Sequence, residues 1–227
     1  MALARKVIFF DFDGTLTSKD TLDVFFEKYV DSAQLQRIAS LWESGITGSK
    51  KCLTDLFNIS KDVNNESIEW AIDTVDLPKH TIDLLYFLKK RQFVMYIVSD
   101  GVDLIIHRFL RKHGIFELFD FIYSNKLQVL QDGYKFEQNG LKENTCSHSQ
   151  TCALCKSAIV NEVKKIHPAD TEFYYVGDSA SDIFGAEQCQ YVFAKDDLFK
   201  RLEHPKKIHF SDFSEIIDFF NMPPNSL

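Results

Sequence analysis

The sequence lacks any apolar run long enough to cross a membrane, and its 227 residues carry no signal peptide that we can recognise. The apolar stretch within residues 1–10 is short and leads directly into acidic residues. We therefore expect a cytoplasmic protein with no membrane partner. A basic excess is also absent, because the net charge is −7, and this argues against nucleic acid as a partner.

Cysteine is scarce as well: three of the five cysteines lie close together in residues 146–155, which is unlike the disulfide framework of a secreted protein. Internal repeats and low-complexity segments are absent. The hydrophobic fraction of 45% is enough for a proper core. These features predict a soluble globular chain that is either one large domain or a domain with an insertion.

Apolar segments that alternate with helical patterns predict the fold. Strands are expected at residues 7–10, 93–98, 172–176 and 191–193, with a short strand at 121–123 and a hairpin near 127–136. Residues 18–77 contain only helical periodicity. We predict an α/β fold, a Rossmann-like parallel sheet with helices on both faces, formed by residues 1–17 and 78–227. Residues 18–77 are predicted to form a small all-helical domain inserted after the first strand, which we name the cap.

Polar residues follow three of the predicted strands directly. Asp11 and Asp13 come after the first, Ser99 after the second, and Asp178 with Asp182 after the third. The carboxyl ends of parallel strands meet at one edge of a sheet, where ligands collect. Paired carboxylates raise each other's pKa or bind a hard cation, above all Mg²⁺. Solvated acids in ordinary turns are the alternative interpretation.

These residue types suit the cleavage of a phosphate monoester. Such a reaction needs a nucleophile, a proton for the leaving alcohol and positive charge around the phosphoryl group, and two neighbouring carboxyl groups can supply the first two. Thr15 can orient a carboxylate, and Ser99 can donate to phosphate, although Ser99 or Asp100 could instead cap the next helix. Lys156 lies in about the first turn of a helix predicted from about Cys152 to Ile166, where bound phosphate would favour a cation.

A second candidate site is the segment around residues 146–155. Cys146, His148, Cys152 and Cys155 could hold zinc, and only the last two have the familiar two-residue gap. Reversible thiol pairing and an ordinary reduced loop remain open as alternatives.

The order of these motifs resembles the haloacid dehalogenase superfamily of phosphotransferases. Asp11-Phe12-Asp13-Gly14-Thr15 is similar to its first motif, Ser99 to the second, Lys156 to the third, and residues 177–182 to the fourth. The resemblance implies the following roles: Asp11 as nucleophile, Asp13 as general acid and base, Asp11, Asp13 and Asp178 as Mg²⁺ ligands, Asp182 and Thr15 in support, and Ser99, Asp100, Gly101 and Lys156 as the phosphate site.

The cap resembles that of the subfamily that includes phosphoserine phosphatase. The Cys-rich run before Lys156 is similar to phosphatases of the methionine-salvage intermediate 2-hydroxy-3-keto-5-methylthiopentenyl 1-phosphate, and to phosphoethanolamine/phosphocholine phosphatases. Asp20 falls where phosphoserine phosphatases carry a substrate-reading Glu, and the third cap helix has no Arg for a substrate carboxylate. Ser99-Asp100-Gly101 also departs from their usual Ser-Gly-Gly.

We therefore expect a Mg²⁺-dependent phosphatase of a small organic phosphate ester, acting as a monomer or homodimer through an aspartyl phosphate. The methionine-salvage intermediate is the leading substrate, and phosphoserine, phosphoethanolamine, phosphocholine and pyridoxal phosphate are alternatives. Two non-enzymatic alternatives also remain: a zinc or redox module centred on the Cys segment, and a regulatory binding protein that keeps the fold without catalysis.

Overall fold

A computed structural model of the chain describes residues 5–139 and 151–223. Its centre is one sheet with the strand order β4-β3-β2-β1-β5-β6-β7, which confirms the predicted α/β fold. The strands are β1 (Lys6–Phe10), β2 (Val94–Val102), β3 (Phe121–Leu130), β4 (Gly133–Glu137), β5 (Glu172–Gly177), β6 (Tyr191–Ala194) and β7 (Lys207–His209).

The central strand β1 pairs in parallel with β2 on one side and with β5 on the other. All other pairings are parallel except β3 with β4, which form an antiparallel hairpin at the edge. Ile8 and Phe10 belong to one hydrophobic cluster, and Val7 and Phe9 belong to a second. Because alternate residues of a strand point to opposite faces, β1 is buried on both sides, as its unbroken apolar sequence predicts.

Helices cover the sheet and form the cap. They are α1 (Thr21–Tyr29), α2 (Ser32–Glu43), α3 (Ser49–Ile59), α4 (Asn65–Asp73), α5 (Thr81–Lys90), α6 (Asp103–Lys112), α7 (Lys156–Ile166), α8 (Ile183–Ala186), α9 (Asp196–Arg201) and α10 (Phe213–Asn221). None of these, in the two described stretches of the chain, has both the length and the hydrophobicity needed to span a bilayer.

The cap helices α1 to α4 begin at polar capping residues where the sequence provides them. Asp20 and Asp31 accept the first backbone N–H groups of α1 and α2, and Asn64 forms a capping box with Ser67 at α4. Helix α3 is different, because Gly48 precedes it and offers no side chain to cap it. The division of the chain into a core and a cap stays our interpretation.

An aromatic contact joins the cap to the edge hairpin of the sheet. The ring of Phe57 in α3 stacks on Phe136 of β4, with 5.0 Å between the ring centroids, and Tyr134 donates a hydrogen bond to the carbonyl of Phe57. This hairpin therefore supports helix α3 of the cap.

The structure departs from the predicted elements at several ends. Strand β3 runs unbroken from Phe121 to Leu130, so the short strand and the first arm of the predicted hairpin are one element. Helix α7 begins at Lys156, four residues later than the sequence pattern indicates. Strand β7 was not predicted, because its three residues are too few to show a pattern.

The packing of Phe109 predicts a large loss of stability on truncation. Phe109 in α6 is fully buried, and its ring meets Phe12 edge to face at 5.5 Å. We expect Phe109→Ala to lower the free energy of unfolding by about 3–5 kcal/mol in urea denaturation. Phe121→Ala is the matched control, because Phe121 is 50% exposed, and an equal loss in both variants would contradict this packing.

Candidate active site

The three central strands end at the same edge of the sheet and bring their polar residues together. Phe10 is in register with Ile97 of β2 and with Val176 of β5, so Asp11 and Asp178 follow the ends of β1 and β5, and Ser99 lies beside them in the last part of β2. They line a cavity of about 520 Å³ whose lining also includes residues of the cap. The order and direction of the strands therefore place these side chains next to one another.

Asp11 is buried at the floor of this cavity. Its Oδ1 accepts the N–H of Phe12 at 2.8 Å and lies 2.9 Å from the ammonium of Lys156. Its Oδ2 has no hydrogen bond within the described residues. Burial, followed by repulsion from Asp182, raises the pKa of Asp11 well above its ordinary value, although Lys156 opposes this shift.

Asp182 holds the lysine from the other side. Its Oδ1 accepts from the Lys156 ammonium at 2.7 Å and from the Tyr175 hydroxyl at 2.8 Å. Its Oδ2 accepts the backbone N–H groups of Ser179 at 3.0 Å and Asp178 at 3.2 Å. Because both oxygens already have donors, Asp182 acts as a support for the lysine rather than as an open ligand.

Lys156 is the first residue of α7, and it is 3% exposed. Burial by itself lowers the pKa of a lysine, but Asp11 and Asp182 outweigh it, so the pKa lies well above its ordinary value. The ammonium thus stays charged although the helix start disfavours a cation. Asp11 and Asp182 offset the unfavourable interaction between the ammonium and the helix start. From the sequence we had expected a bound phosphate to offset it.

Asp178 is oriented by Thr15. The Thr15 hydroxyl donates to Oδ1 of Asp178 at 2.6 Å, and the hydroxyl is itself fully buried. Burial, followed by repulsion from Asp182, raises the pKa of Asp178 to about 6. Gly14 makes the approach possible, because its φ of +72° suits glycine and a Cβ there would lie 2.4 Å from Oδ2 of Asp178.

Asp13 faces the start of the cap. Its Oδ1 accepts the backbone N–H of Thr21 at 2.8 Å and the Thr21 hydroxyl at 2.6 Å. Burial, followed by repulsion from Asp20, raises the pKa of Asp13 to about 8. A Cβ on Gly101 would lie 2.7 Å from Oδ2 of Asp13, so glycine leaves room for this carboxyl group.

The loop at the end of β2 is a bulge. Between the pairs Val98 with Tyr123 and Val102 with Asn125, β2 advances four residues while β3 advances two. Ser99 lies in the bulge, is 1% exposed, and accepts the N–H of Gly101 at 3.0 Å. Its hydroxyl hydrogen remains available for another acceptor.

Asp20 and the cysteines have the following positions. Asp20 lines the cavity and caps α1 by accepting the N–H groups of Leu22 and Asp23 at 2.8 and 2.9 Å. Burial, followed by repulsion from Asp23, raises the pKa of Asp20 to about 7. Cys152 and Cys155 form no disulfide with a described cysteine, and Cys146 and His148 lie outside the described residues. The zinc and thiol alternatives stay predictions.

Two further residues belong to the site although the sequence gave no expectation of them. Tyr175 donates to Asp182, and Asn125 donates from its side chain to the carbonyl of Asp100 at 2.7 Å. Both lie in β-strands whose sequences are either apolar or a mixture of apolar and polar residues. Asn125 is marked only by the structure, as a fully buried amide beside the bulge of β2, and nothing local in the sequence marks Tyr175 among its aromatic neighbours.

The donor set fits a hard divalent cation. Carboxylate oxygens of Asp11, Asp178 and Asp182 lie within 4.8 Å of one another, the only such group found in the described part of the chain. Within the described residues, Asp11 and Asp178 each keep an Oδ2 without a hydrogen bond, and a cation there would relieve the repulsion that raises their pKa values. Asp182 has no oxygen left over, so the first two would bind the ion.

Comparison with known proteins agrees with this geometry. Residues 6–214 match the family model described as Putative Phosphatase. The chain belongs to this family. A relative in Lysinibacillus sphaericus, named 2-hydroxy-3-keto-5-methylthiopentenyl-1-phosphate phosphatase, is 29% identical over 203 residues, covering 88% of this chain and 86% of that protein. A Bacillus cereus (strain B4264) protein of the same name is 24% identical, covering 92% and 93%.

Solved structures show the same fold. A phospho-aspartyl intermediate analogue of phosphoserine phosphatase superposes with a TM-score of 0.73 and 25% identity, covering 95% of this chain and 99% of that one. A substrate-bound phosphoserine phosphatase complex has the same TM-score and identity, with 98% of its chain covered. The resemblance to the haloacid dehalogenase superfamily is thereby confirmed, and this chain is a phosphatase of that type.

The raised pKa of Asp13 predicts how the stability of the metal-free protein depends on pH. The folded chain keeps a proton on Asp13 up to about pH 8, whereas the unfolded chain loses it near the ordinary value of 3.8. Folding is therefore favoured at low pH, and stability falls as the pH rises between these two values. In a chelator, we expect the melting temperature to fall by several degrees from pH 5 to pH 8.

Asp13→Asn tests this assignment because an amide keeps the shape and does not titrate. We expect its melting temperature to change less with pH than that of the wild type. Asp132→Asn is the control, because Asp132 is exposed at the turn of the hairpin and should leave the pH dependence unchanged. Equal slopes in the wild type and Asp13→Asn would show that Asp13 is not the titrating group.

Proposed function

We propose that the protein is a Mg²⁺-dependent phosphatase that hydrolyses a small organic phosphate monoester through a phosphorylated Asp11. The observation that carries this proposal is the state of the Asp11 carboxylate. Lys156 and the N–H of Phe12 hold Oδ1, whereas Oδ2 has no hydrogen bond within the described residues, and Asp11 lines a cavity together with Asp13 and Ser99. An oriented carboxylate with one free oxygen is suited to nucleophilic attack.

The neighbouring groups bind the phosphoryl oxygens and transfer protons. Lys156 and the Ser99 hydroxyl supply positive charge and a donor for the phosphoryl oxygens. Asp13, whose pKa is about 8, carries a proton near neutral pH that it can donate to the leaving alcohol. After that transfer, Asp13 can accept a proton from the water that attacks the phosphoaspartate.

Asp11 and Asp178 would hold Mg²⁺, together with the backbone of Asp13. When bound, the ion supplies Lewis acidity and lowers the repulsion between a dianionic phosphate and the carboxylates. The surplus of acids over Lys156 in this cavity supports the need for such a cation.

The division of labour between Asp11 and Asp13 can be tested with p-nitrophenyl phosphate, whose leaving group needs no proton. With Mg²⁺, we expect Asp13→Asn to release about one equivalent of p-nitrophenolate rapidly and then to turn over slowly, because water activation is lost. On alkyl phosphates the same variant should lose a factor of about 10²–10⁴ already in the first turnover. Rapid-quench and stopped-flow measurements give both numbers.

Asp11→Asn is the companion variant and should show neither burst nor turnover with either ester. A burst of the same size in Asp11→Asn would contradict the role of Asp11. Chelation of the metal should abolish turnover of the wild type, and full activity in a chelator would contradict Mg²⁺ dependence. Analysis of the products with added alcohols separates hydrolysis from phosphoryl transfer to a second substrate.

The cap side of the cavity indicates which esters fit. The described residues that line it there are mostly apolar or acidic: Leu22, Phe26, Leu35, Ala39, Trp42, Leu53 and Leu56, with Asp20, Asp23, Glu27 and Glu43. Lys156 is the single basic residue among the lining residues in this part of the chain. A leaving alcohol that carries a carboxylate would meet repulsion here, which disfavours phosphoserine.

We propose 2-hydroxy-3-keto-5-methylthiopentenyl 1-phosphate as the leading substrate. Its leaving group is uncharged and ends in a thioether, which suits an apolar wall, and relatives that align over most of the chain carry the name of this activity. The acidic residues of the cap favour a second candidate, the phosphate ester of an amino alcohol such as phosphoethanolamine or phosphocholine.

Two cap variants decide between these candidates. Leu35→Ala should lower kcat/KM for the methylthio substrate about tenfold, because apolar contact with the leaving group is lost. Glu43→Gln should leave that value unchanged if the leaving group is neutral, and should lower it for phosphoethanolamine if the carboxylates bind an amine. A wild-type preference for phosphoserine over both esters would contradict the charge argument.

A further inference from the structure

Asp100 is a buried acid that the proposed chemistry does not use. It lies in the bulge between Ser99 and Gly101 and lines the same cavity as Lys156. Its backbone is fixed by Asn125, but its carboxylate cannot donate a hydrogen bond to phosphate and would repel it. One oxygen, Oδ1, is buried without a hydrogen-bond partner within the described residues. The Asp100 side chain therefore has a role other than phosphate binding.

The carboxylate of Asp100 points toward the cap. Burial raises the pKa of Asp100, whereas the hydroxyl of Ser49 and the backbone N–H of Leu154 are among the neighbouring groups that lower it. Ser49 lines the same cavity as Asp100, is the first residue of α3, and its hydroxyl accepts the N–H of Ala153 at 2.8 Å. The Ser49 hydroxyl thus lies where three parts of the molecule meet: the cap, the bulge in β2 and the segment that leads into α7.

Helix α3 depends on the core for its N-terminal cap. Gly48 gives it no capping side chain, and the carbonyl of Thr151 accepts the N–H of Lys50 at 3.0 Å instead. A Cβ on Gly48 would lie 2.1 Å from the Thr151 oxygen, so only glycine allows the two backbones to approach this closely. The start of α3 is therefore completed by the segment that precedes Lys156.

We propose that Ser49 and Asp100 form a latch that couples closure of the cap to the order of the phosphate site, with Asp100 as a positioning residue. This inference rests on the proposed function. The latch touches both elements that would hold phosphate: the bulge carries Ser99, and Lys156 lies three residues beyond Ala153. An open cap would separate Ser49 from Asp100 and leave the N–H of the fully buried Ala153 without its acceptor, which opposes opening.

A double-mutant cycle tests the latch. Ser49→Ala and Asp100→Ala should each lower kcat/KM about tenfold, and the double variant should lose about tenfold rather than a hundredfold, because both changes break one contact. Asp100→Asn keeps an acceptor for the Ser49 hydroxyl and should stay within about threefold of the wild type. Ser40→Ala, exposed in α2, is the control and should be silent.

Additive losses, or an Asp100→Asn variant as poor as Asp100→Ala, would overturn the latch and indicate that Asp100 meets a cationic group of the substrate. Hydrogen exchange of the substrate-free protein gives a readout without turnover. The amides of Lys50 and Ala153 should exchange faster in Ser49→Ala and in Asp100→Ala, and unchanged exchange in both would also overturn the latch. A wild type that hydrolyses no phosphate ester would end the proposed function, whereas the exchange result would still decide the contact.

Discussion

The ion pair of Lys156 with Asp11 and Asp182 is the constraint on which the rest of the site depends. Breaking a buried pair leaves an uncompensated charge, typically at a cost of about 3–5 kcal/mol, so each partner fixes the others. Asp182 accepts five hydrogen bonds, from Lys156, Tyr175, Asp178 and twice from Ser179, and cannot move toward a ligand. Lys156 is therefore held against one oxygen of Asp11, and the other oxygen has no hydrogen bond within the described residues.

For the proposed function, the same excess of acid explains why the site would need both a metal and a cap. Burial and mutual repulsion raise the pKa values of Asp11, Asp13 and Asp178, so the carboxylates alone would favour protons over phosphate. A divalent cation would offset the repulsion, and the cap would keep water from screening the remaining charges. Substrate selection would then depend on the cap wall, which would touch the leaving alcohol and not the phosphoryl group.

Much of this arrangement follows from patterns that are local in sequence. Strand β1 and the acids after it could be predicted because an unbroken apolar run marks a strand that is buried on both faces. The roles of Tyr175 and Asn125 could not, since their polar atoms matter only through partners far along the chain. The ion pair of Lys156 with Asp182 could not be predicted for the same reason, because Asp182 is 26 residues away along the chain, and the role of Lys156 toward phosphate stays a prediction.

Chemical trapping of the intermediate tests the central claim most directly. Wild-type protein is mixed with a phosphate ester and Mg²⁺, quenched in acid during turnover, and treated with borohydride, which reduces an aspartyl phosphate to homoserine. Peptide mass spectrometry then locates the reduced residue. The account predicts homoserine at position 11 and an unmodified Asp13. Phosphate or homoserine at any other position, together with an unmodified Asp11, would contradict it.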